Sequence, residues 1–445
     1  MMNLSLLLCR RALRYRRAAV AVFLIFALSQ YILAQQSNFT RAHAEGVLKV
    51  IKDDIKKNYY DPEFHGIDIE ARFNAAREKL KTTDNAGQFM AIIAQTLLDF
   101  DDSHLFFVPP GRSNRTDYGW EMQSIGDGIY ISAVKPGSDA EAKGLKQGDK
   151  VLSVNGLQPT RDNLWKIDYL FKALRPQPGL KLAVQSPDGK QQEVVAMAKI
   201  KQGKQIMNLT DTIDANEYRR QAEDEDHLDR SRYVEVGDDL LIWKLPTFAV
   251  DPASIDFMMG RVRKHKALVL DLRGNGGGYV ETCQVLVGAF LDKEIQIAET
   301  KGRKETKPMK SKHAGNPYTG KLIVLVDSRS ASASEIFART IQLQKRGVIA
   351  GDRSAGAVMR AIHYPHQLGL DTIIPYGVSV TDADLIMPDG KSLEKTGVIP
   401  DEPVLPTAAD LAARRDPVLT RAAALAGIKI DPEKAGAMFP IEWRK

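Results

Sequence analysis

The sequence predicts an α/β fold organised around two strand–loop–helix units. In the first unit, the apolar run Ala267–Leu272 leads into Arg273–Gly278, which contains four glycines, and a helix begins near Glu281. In the second, the β-branched run Leu322–Val326 leads into the serine-rich turn Ser330–Glu335, after which apolar residues recur at helical spacing. Buried strands that alternate with helices are typical of the α/β class.

The loops of both units are suited to acyl transfer. Glycines allow backbone N–H groups to approach a ligand closely, and small hydroxyl residues at a strand-to-helix turn lie where unpaired N–H groups and the positive end of the helix dipole converge. An attacking hydroxyl and donors for the oxyanion are the two requirements of such a site. A structural alternative is that Ser330–Glu335 is only a helix cap, with serine in its usual capping role.

The phrases LVLDLRGNGGG, SRSASASEIFA and GVIAGDRSAG occur in that order. Together they resemble the tail-specific, or C-terminal-processing, serine peptidases and their tricorn-type relatives. The resemblance implies a crotonase-like (ClpP/crotonase) protease core and an inserted, β-rich PDZ domain that binds peptides. It also identifies the middle serine of SASASE, Ser332, as the nucleophile.

The sequence departs from this family at the position of the general base. The tail-specific branch has a lysine on the loop after the next strand, and the corresponding position here is Ala357. The tricorn-type branch instead pairs serine with a Ser-His motif ahead of the core and a glutamate near its end. By this resemblance the base is His104, oriented by Ser103 and Glu394, and the oxyanion donors are the backbone N–H groups of Gly277 and Ala333.

Two other histidines remain alternatives for the base. His363 and His366 follow shortly after the altered lysine loop, so either is close in sequence to the position that the lysine would occupy. A neutral imidazole at any of the three positions would accept a proton near neutral pH.

A second module resembles a bacterial PDZ domain. The stretch from Gly126 to Gly156 carries the resemblance, and an exposed strand edge at Ile129–Val134 beside a helix at about 162–174 is expected to frame a groove for an extended peptide tail. The candidate peptide-binding residues lie in this strand and in the preceding loop: Tyr118, Gly119, Trp120, Ile129 and Ile131.

The N-terminus predicts export. Five arginines precede the apolar run Ala18–Ala34, as in a secretion signal that is either cleaved or kept as a membrane anchor. These arginines supply five of the six net positive charges, so the basic charge gives little reason to expect a nucleic-acid partner. With Cys9 in this segment, Cys283 is the single cysteine of a processed chain, and we expect it to be a buried small hydrophobe.

These observations divide the chain of 445 residues into six segments. They are a signal peptide or membrane anchor (1–34), a helical segment carrying Ser103-His104 (38–112), a PDZ-like domain (115–200), a polar linker (201–236), a peptidase core (237–406) and a helical tail (407–445).

The predicted protein is an exported serine endopeptidase of the bacterial periplasm or cell envelope, with no metal and no cofactor, that acts on proteins or peptides with accessible C-terminal tails. The alternatives are a catalytically inactive binding or adaptor protein and, by fold analogy alone, a coenzyme A enzyme of the crotonase type.

Overall fold

The computed structural model describes residues 39–111, 114–202, 227–312, 315–368 and 374–444. The predicted export segment, 1–34, and most of the predicted polar linker, 203–226, lie outside these residues. In the described part of the chain, none of the helices has both the length and the apolar character needed to cross a membrane.

The first described segment is helical and ends in a short strand. Its elements are α1 (Arg41–Asn58), a 3₁₀ turn (Phe64–Gly66), α2 (Ile69–Lys81), α3 (Ala86–Leu98) and β1 (Phe106–Val108). Each helix starts at a polar cap, because the side chains of Thr40, Asp68 and Asn85 accept N–H groups of the first turn. The apolar faces of α1 to α3 pack together in one core cluster with Phe107 and Val378.

The next segment is a small β-rich unit. It contains β2 (Asn114–Asp117), β3 (Trp120–Ile125), β4 (Gly128–Val134), α4 (Asp139–Ala142), β5 (Lys150–Val154), α5 (Leu164–Asp168, extended by a π turn to Leu174), β6 (Gly179–Gln185), β7 (Gln191–Met197) and β8 (Lys199–Gln202). Five strands form one sheet in the order β3-β4-β5-β6-β7, and β2 pairs with β8.

The prediction of an exposed strand edge at Ile129–Val134 is wrong. Strand β4 lies inside the sheet, because it pairs with β3 on one side and with β5 on the other. The edge strand beside helix α5 is β3. Ile129 and Ile131 are buried in the core of this unit, so their side chains are not available to line a peptide groove.

The third segment contains two sheets. Its strands are β9 (Arg232–Val236), β10 (Leu240–Lys244), β11 (Ala267–Asp271), β12 (Gln296–Gly302), β13 (Thr306–Lys310), β14 (Lys321–Val326), β15 (Val348–Gly351), β16 (Met359–Leu368), β17 (Ile374–Ile386) and β18 (Glu402–Pro403). Its helices are α6 (Pro252–Val262), α7 (Val280–Gly288) and α8 (Ala333–Leu343).

The first sheet has the order β18-β15-β14-β11-β10-β9 and is parallel except for β9. Strands β11 and β14 are neighbours at its centre, so the loops that follow them meet at the same edge. Helices α6, α7 and α8 pack on one face of this sheet. The tail helices follow the last strand, and they are α9 (Ala408–Ala412), α10 (Pro417–Ala426) and α11 (Pro432–Ala437). Helix α10 covers the other face through Leu419 and Ala422.

The second sheet joins the N-terminal segment to the core. It has the order β1-β17-β12-β13, and β16 also pairs with β17. Residues Phe106–Val108 pair antiparallel with Gly377–Ser379, which places the chain just before β1 beside the core. This pairing carries the Ser103-His104 motif to the same side of the molecule as the loops after β11 and β14.

Candidate active site

Ser332 lies at the turn between β14 and α8 in a strained conformation. Its backbone dihedrals are φ 55° and ψ −118°, which a residue with a side chain adopts only where its surroundings enforce it. Two hydrogen bonds hold its N–H group, one to the carbonyl of Ala357 at 2.9 Å and one to the Glu335 carboxylate at 3.1 Å. A sharp strand-to-helix turn of this kind presents a nucleophile clear of its own backbone.

The neighbouring serines have structural partners, which sets Ser332 apart. Ser330 Oγ donates to the carbonyl of Leu272 at 2.8 Å, and Ser334 Oγ donates to that of Asn275 at 2.9 Å. Both are fully buried. Within the described residues, the Oγ of Ser332 donates no hydrogen bond to another group, and the side chain is only partly buried. Of the three serines in this turn, Ser332 alone is left for chemistry.

The glycine-rich loop after β11 packs directly against the serine turn. A Cβ added to Gly277, whose φ is +100°, would lie 2.6 Å from the Cβ of Ser332 and 3.1 Å from the nitrogen of Ala333. The carbonyl of Asn275 accepts the N–H of Ala331 at 3.0 Å, which ties the two loops together. Only glycine permits this approach at position 277.

The structure differs from expectation in the oxyanion donors. The N–H of Gly277 donates to the side-chain oxygen of Asn275 at 2.9 Å, so it is already used inside its own loop. The N–H groups of Ala333, Gly276 and Gly278 have no acceptor among the residues that the structure describes. Ala333 is therefore available as a donor as predicted, whereas Gly277 is engaged and its two neighbours are free.

A charged network holds the start of the glycine-rich loop. Arg273 bonds both oxygens of Asp271 and both of Asp416, at the cap of α10. Burial alone would raise the pKa of Asp271, but Arg273 and Lys244 outweigh it and hold that pKa well below its usual range. The loop is thereby anchored to the C-terminal helices.

His104 is oriented by a hydrogen-bond relay that begins at Glu394. Oε2 of Glu394 accepts Ser103 Oγ at 2.8 Å, and Ser103 Oγ lies 2.7 Å from Nδ1 of His104. Glu394 also accepts the N–H of Ser103 and the N–H of Val358. Because the serine hydroxyl donates to the carboxylate, it accepts from His104, so the ring proton lies on Nδ1 and the lone pair on Nε2.

The relay ends next to the serine turn. Val358 donates to Glu394, and the preceding residue, Ala357, accepts the N–H of Ser332. Residues Ser103, His104, Glu394 and Ser332 therefore meet around the Ala357–Val358 peptide. No hydrogen bond joins Ser332 Oγ to His104 within the described structure.

Burial sets the protonation of the imidazole. It lowers the pKa of His104 below the ordinary value of 6.5, while the nearby charge of Asp102 acts in the opposite direction. Asp102 accepts the backbone N–H of His104 at 2.8 Å and is held by Tyr59 and Thr381. Burial also raises the pKa of Glu394, against the donors that favour its charged form. A neutral imidazole at neutral pH follows from this arrangement.

The two alternative histidines lie elsewhere. His366 Nε2 is 2.6 Å from Asp54 in α1, and His363 is exposed on β16, opposite Ser379. Neither forms a hydrogen bond with the relay or with the serine turn in the described part of the chain.

Glu335 is a site residue that the sequence reasoning did not identify. Its fully buried carboxylate accepts Ser354 Oγ at 2.6 Å and the N–H groups of Gly356 (2.7 Å), Ala357 (3.0 Å) and Ser332. Burial raises the pKa of Glu335 to about 7 against these four donors. Glu335 follows Ser332 by three residues, which is the spacing of a capping box. This spacing is visible in the sequence and predicts a contact between the two residues.

The predicted peptide-binding loop is mostly structural. Tyr118 and Trp120 are buried, and the Tyr118 hydroxyl donates to the carbonyl of Phe171 and accepts the N–H of Gln177. Gly119 packs against Ser138, because an added Cβ would lie 2.4 Å from its side chain. The adjoining edge of β3 contacts the core instead: the carbonyls of Met122 and Ser124 accept the side chains of Arg329 and Ser328.

The fold and the site define a serine-type peptidase. Residues 240–404 match the family model described as peptidase family S41, and residues 111–185 match that of the PDZ domain. Residues 240–404 are therefore a peptidase domain similar to family S41, and they follow a PDZ domain, an arrangement similar to that of the C-terminal-processing serine peptidases.

Similar proteins agree with this assignment. The chain is 26% identical over 347 residues to a carboxyl-terminal-processing protease of Picosynechococcus, covering 74% of this chain and 75% of that one. It is 24% identical over 306 residues to a tail-specific protease of Haemophilus influenzae, covering 65% of this chain but only 41% of the relative. Among solved structures, mature CPAF complexed with lactacystin has the same fold, with a TM-score of 0.61 at 15% identity over 84% of this chain and 95% of that one.

Proposed function

We propose that this chain is an active serine endopeptidase with Ser332 as nucleophile and His104 as general base. One observation carries the proposal: the relay from Glu394 through Ser103 holds the ring proton of His104 on Nδ1 and leaves Nε2 with its lone pair. A base must present a free lone pair near the nucleophile, and Ser332 is tied to the same Ala357–Val358 peptide as the relay.

The mechanism follows from these contacts. Nε2 of His104 takes the proton of Ser332 Oγ as that oxygen attacks the peptide carbonyl, and the imidazolium then gives the proton to the leaving amine. Ser103 and Glu394 stabilise the charged ring. The oxyanion is held by the N–H of Ala333 together with that of Gly276 or Gly278, which replace the donor first expected at Gly277. Water then attacks the carbonyl of the acyl-enzyme, with His104 again as general base, and Ser332 leaves with the proton.

Binding of a C-terminal tail to the PDZ domain is proposed to help assemble the site. The edge strand β3 is the place where an extended peptide adds to this sheet, and its outward carbonyls now hold Ser328 and Arg329. These residues precede Ser332 in the same turn. A tail that pairs with β3 would displace them and allow the turn to bring Ser332 Oγ within reach of His104.

The proposal includes a domain organisation and a cellular location. We propose a crotonase-like core at 237–406, served by the helical segment 38–112, the PDZ domain at 115–200, the linker 201–236 and the tail 407–445. We also propose that residues 1–34 direct export to the periplasm or cell envelope, as a signal peptide or an anchor, because arginines precede an apolar run there. The substrates are then exported proteins with accessible tails.

Labelling with a serine-directed fluorophosphonate tests the mechanism. We expect the wild-type protein to be labelled at Ser332, the Ser332→Ala variant not to be labelled, and His104→Ala to lose both labelling and peptide cleavage. His363→Ala and His366→Ala are the matched controls and should keep both activities. Loss of activity at His363 with retention at His104 would refute the assignment of the base.

A second candidate function is a catalytically inactive PDZ protein that binds partners. The observation that favours it is Ala357, which stands where the tail-specific branch has its lysine. The same labelling experiment separates the two functions, because an inactive protein would leave Ser332 unlabelled while still binding tail peptides.

A further inference from the structure

Asp102 is a buried acidic residue that takes no part in the proton transfer described above. It is 5% exposed, and its carboxylate accepts four hydrogen bonds. Oδ1 accepts the N–H groups of His104 (2.8 Å) and Leu105 (3.1 Å) and the hydroxyl of Thr381 (2.7 Å), and Oδ2 accepts the hydroxyl of Tyr59 (2.9 Å). Donors on both oxygens are the surroundings expected of an ionised carboxylate.

No cation compensates this charge. Among the residues that the structure describes, no lysine or arginine lies within ion-pair distance of Asp102. The neighbouring acid in the sequence, Asp101, is exposed and binds Lys395, with 2.5 Å between Nζ and Oδ2. Burying a charge is costly unless it is paired or hydrogen-bonded, and Asp102 has hydrogen bonds only. A positive charge that forms next to Asp102 would therefore be stabilised.

The charge of Asp102 acts on both ends of the histidine relay. Burial lowers the pKa of His104, and the charge of Asp102 raises it. The same charge adds to the rise that burial causes in the pKa of Glu394. The other titratable groups on which Asp102 acts are Tyr59 and Tyr60, just after α1, whose pKa values are raised first by burial and then by Asp102. Of these groups, only the imidazole of His104 becomes positively charged in the proposed reaction.

We propose that Asp102 is a positioning residue of this reaction: it fixes the backbone of His104, and its buried negative charge stabilises the imidazolium that forms when Ser332 gives up its proton. The two carboxylates then have different tasks. Glu394 fixes the ring proton on Nδ1 through Ser103, whereas Asp102 holds the main chain that carries the ring and supplies the opposing charge. The inference rests on the proposed peptidase function and adds a residue to its mechanism.

Asp102→Asn removes the charge and can keep all four contacts. The amide oxygen can accept the two N–H groups and the Thr381 hydroxyl, and the amide NH₂ can donate to the Tyr59 hydroxyl, which accepts as well as donates. The matched control is Thr381→Val, which has nearly the same shape, removes one of the four hydrogen bonds and keeps the charge.

NMR titration of the His104 ring in the full chain measures the effect of the charge without requiring activity. Both variants would be made in Ser332→Ala, and the His104 signals would be identified by their loss in His104→Gln. We expect the pKa of His104 to be about one pH unit lower in Asp102→Asn, because an amide does not favour the imidazolium. In Thr381→Val it should be unchanged or higher, because a carboxylate with fewer donors attracts the imidazolium more strongly.

Two results of the titration would overturn the proposal. One is an equal pKa of His104 with and without Asp102→Asn. The other is a lower pKa of His104 in Thr381→Val, a result that remains decisive even if Asp102→Asn does not fold.

Cleavage kinetics tests the same role in the active protein. A loss of imidazolium stabilisation of about one pH unit corresponds to about tenfold in rate, so kcat in Asp102→Asn should fall by about that factor with KM nearly unchanged. A higher KM at unchanged kcat would contradict the proposal, because Asp102 would then act on substrate binding. Failure of the wild-type protein to react with a fluorophosphonate bears on the peptidase function alone, whereas the titration decides the role of Asp102 in either case.

Discussion

The Glu335 carboxylate accepts the backbone N–H of Ser332 at 3.1 Å. The same carboxylate accepts hydrogen bonds from Ser354, Gly356 and Ala357. These residues belong to the loop on which the lysine-dependent branch carries its base. One buried side chain thus joins the nucleophile turn to the loop that holds Glu394. This contact makes the geometry of Ser332 depend on a residue that takes no part in the reaction.

Replacing Glu335 with glutamine should therefore disable the site. The amide NH₂ would face two of the four donors, which would leave buried N–H groups without an acceptor at a cost of about 3 kcal/mol in the free energy of unfolding. We expect kcat for peptide cleavage to fall about 100-fold and the rate of fluorophosphonate labelling to fall with it. Glu281→Gln, on the exposed start of α7, is the control and should behave like the wild type. Wild-type labelling by Glu335→Gln would show that Ser332 does not need this contact.

The pH dependence of cleavage should report a buried histidine. Because burial lowers the pKa of His104, the imidazole is neutral above a value below 6.5 and becomes protonated only beneath it. We expect kcat/KM to be level at mildly alkaline pH and to fall as the pH drops, first through the pKa of about 7 of Glu335, whose carboxylate orders the serine turn, and then through that of His104. An inflection in the alkaline range, where a lysine loses its proton, would contradict a histidine base.

Ser103 should affect the rate more than substrate binding. Ser103→Ala removes the acceptor of the Nδ1–H of His104 and frees the ring to rotate, so kcat should fall about 100-fold with KM within twofold. Ser103→Thr keeps the hydroxyl and should restore most of the rate. Equal loss in the two variants would point to packing at this position and not to the relay.

Gly277 should not tolerate a side chain. In Gly277→Ala the new Cβ would lie 2.6 Å from that of Ser332, and the backbone would keep an unfavourable φ of +100°. We expect loss of cleavage and of labelling. Gly260→Ala, in α6, is the control, since no atom lies within 4 Å of the Cβ at that position. Activity in both variants would mean that the two loops are not in contact in solution.

Arg329 should hold the PDZ domain against the core. Arg329 and Lys172 both contact Glu121, but Lys172 belongs to the PDZ domain itself, whereas Arg329 belongs to the turn before Ser332. Hydrogen exchange at residues 120–125 should become faster in Arg329→Met and remain near wild type in Lys172→Met. The reverse order would show that β3 is protected from within its own domain.

The sequence predicted the fold and the site best where a single motif allows only one local geometry. The two strand–loop–helix units are adjacent in the parallel sheet, and Cys283 is fully buried as expected, with burial raising the pKa of its thiol to about 12. The hydrogen bond between Ser103 and Glu394 joins residues 291 positions apart, and only the family resemblance suggested it.

Local sequence patterns do not predict which strand or side chain a residue pairs with in the folded protein. Alternating apolar residues identify a strand but not its neighbours, so the pattern at Ile129–Val134 predicts an exposed edge for a strand that pairs on both sides. The family resemblance predicts that the N–H of Gly277 donates to an oxyanion, but this N–H donates to the side-chain oxygen of Asn275. The capping-box spacing predicts the contact of Glu335 with the N–H of Ser332, but not its contacts with Ser354, Gly356 and Ala357, which are distant in sequence.

The pairing of β1 with β17 determines when the proposed active site can form during folding. The imidazole of His104 precedes the PDZ domain in the sequence, whereas Ser332 and Glu394 follow it. The three side chains can meet only after the chain through Glu394 has been synthesised and has folded. The proposed centre is therefore formed by tertiary folding and by no single segment of the chain.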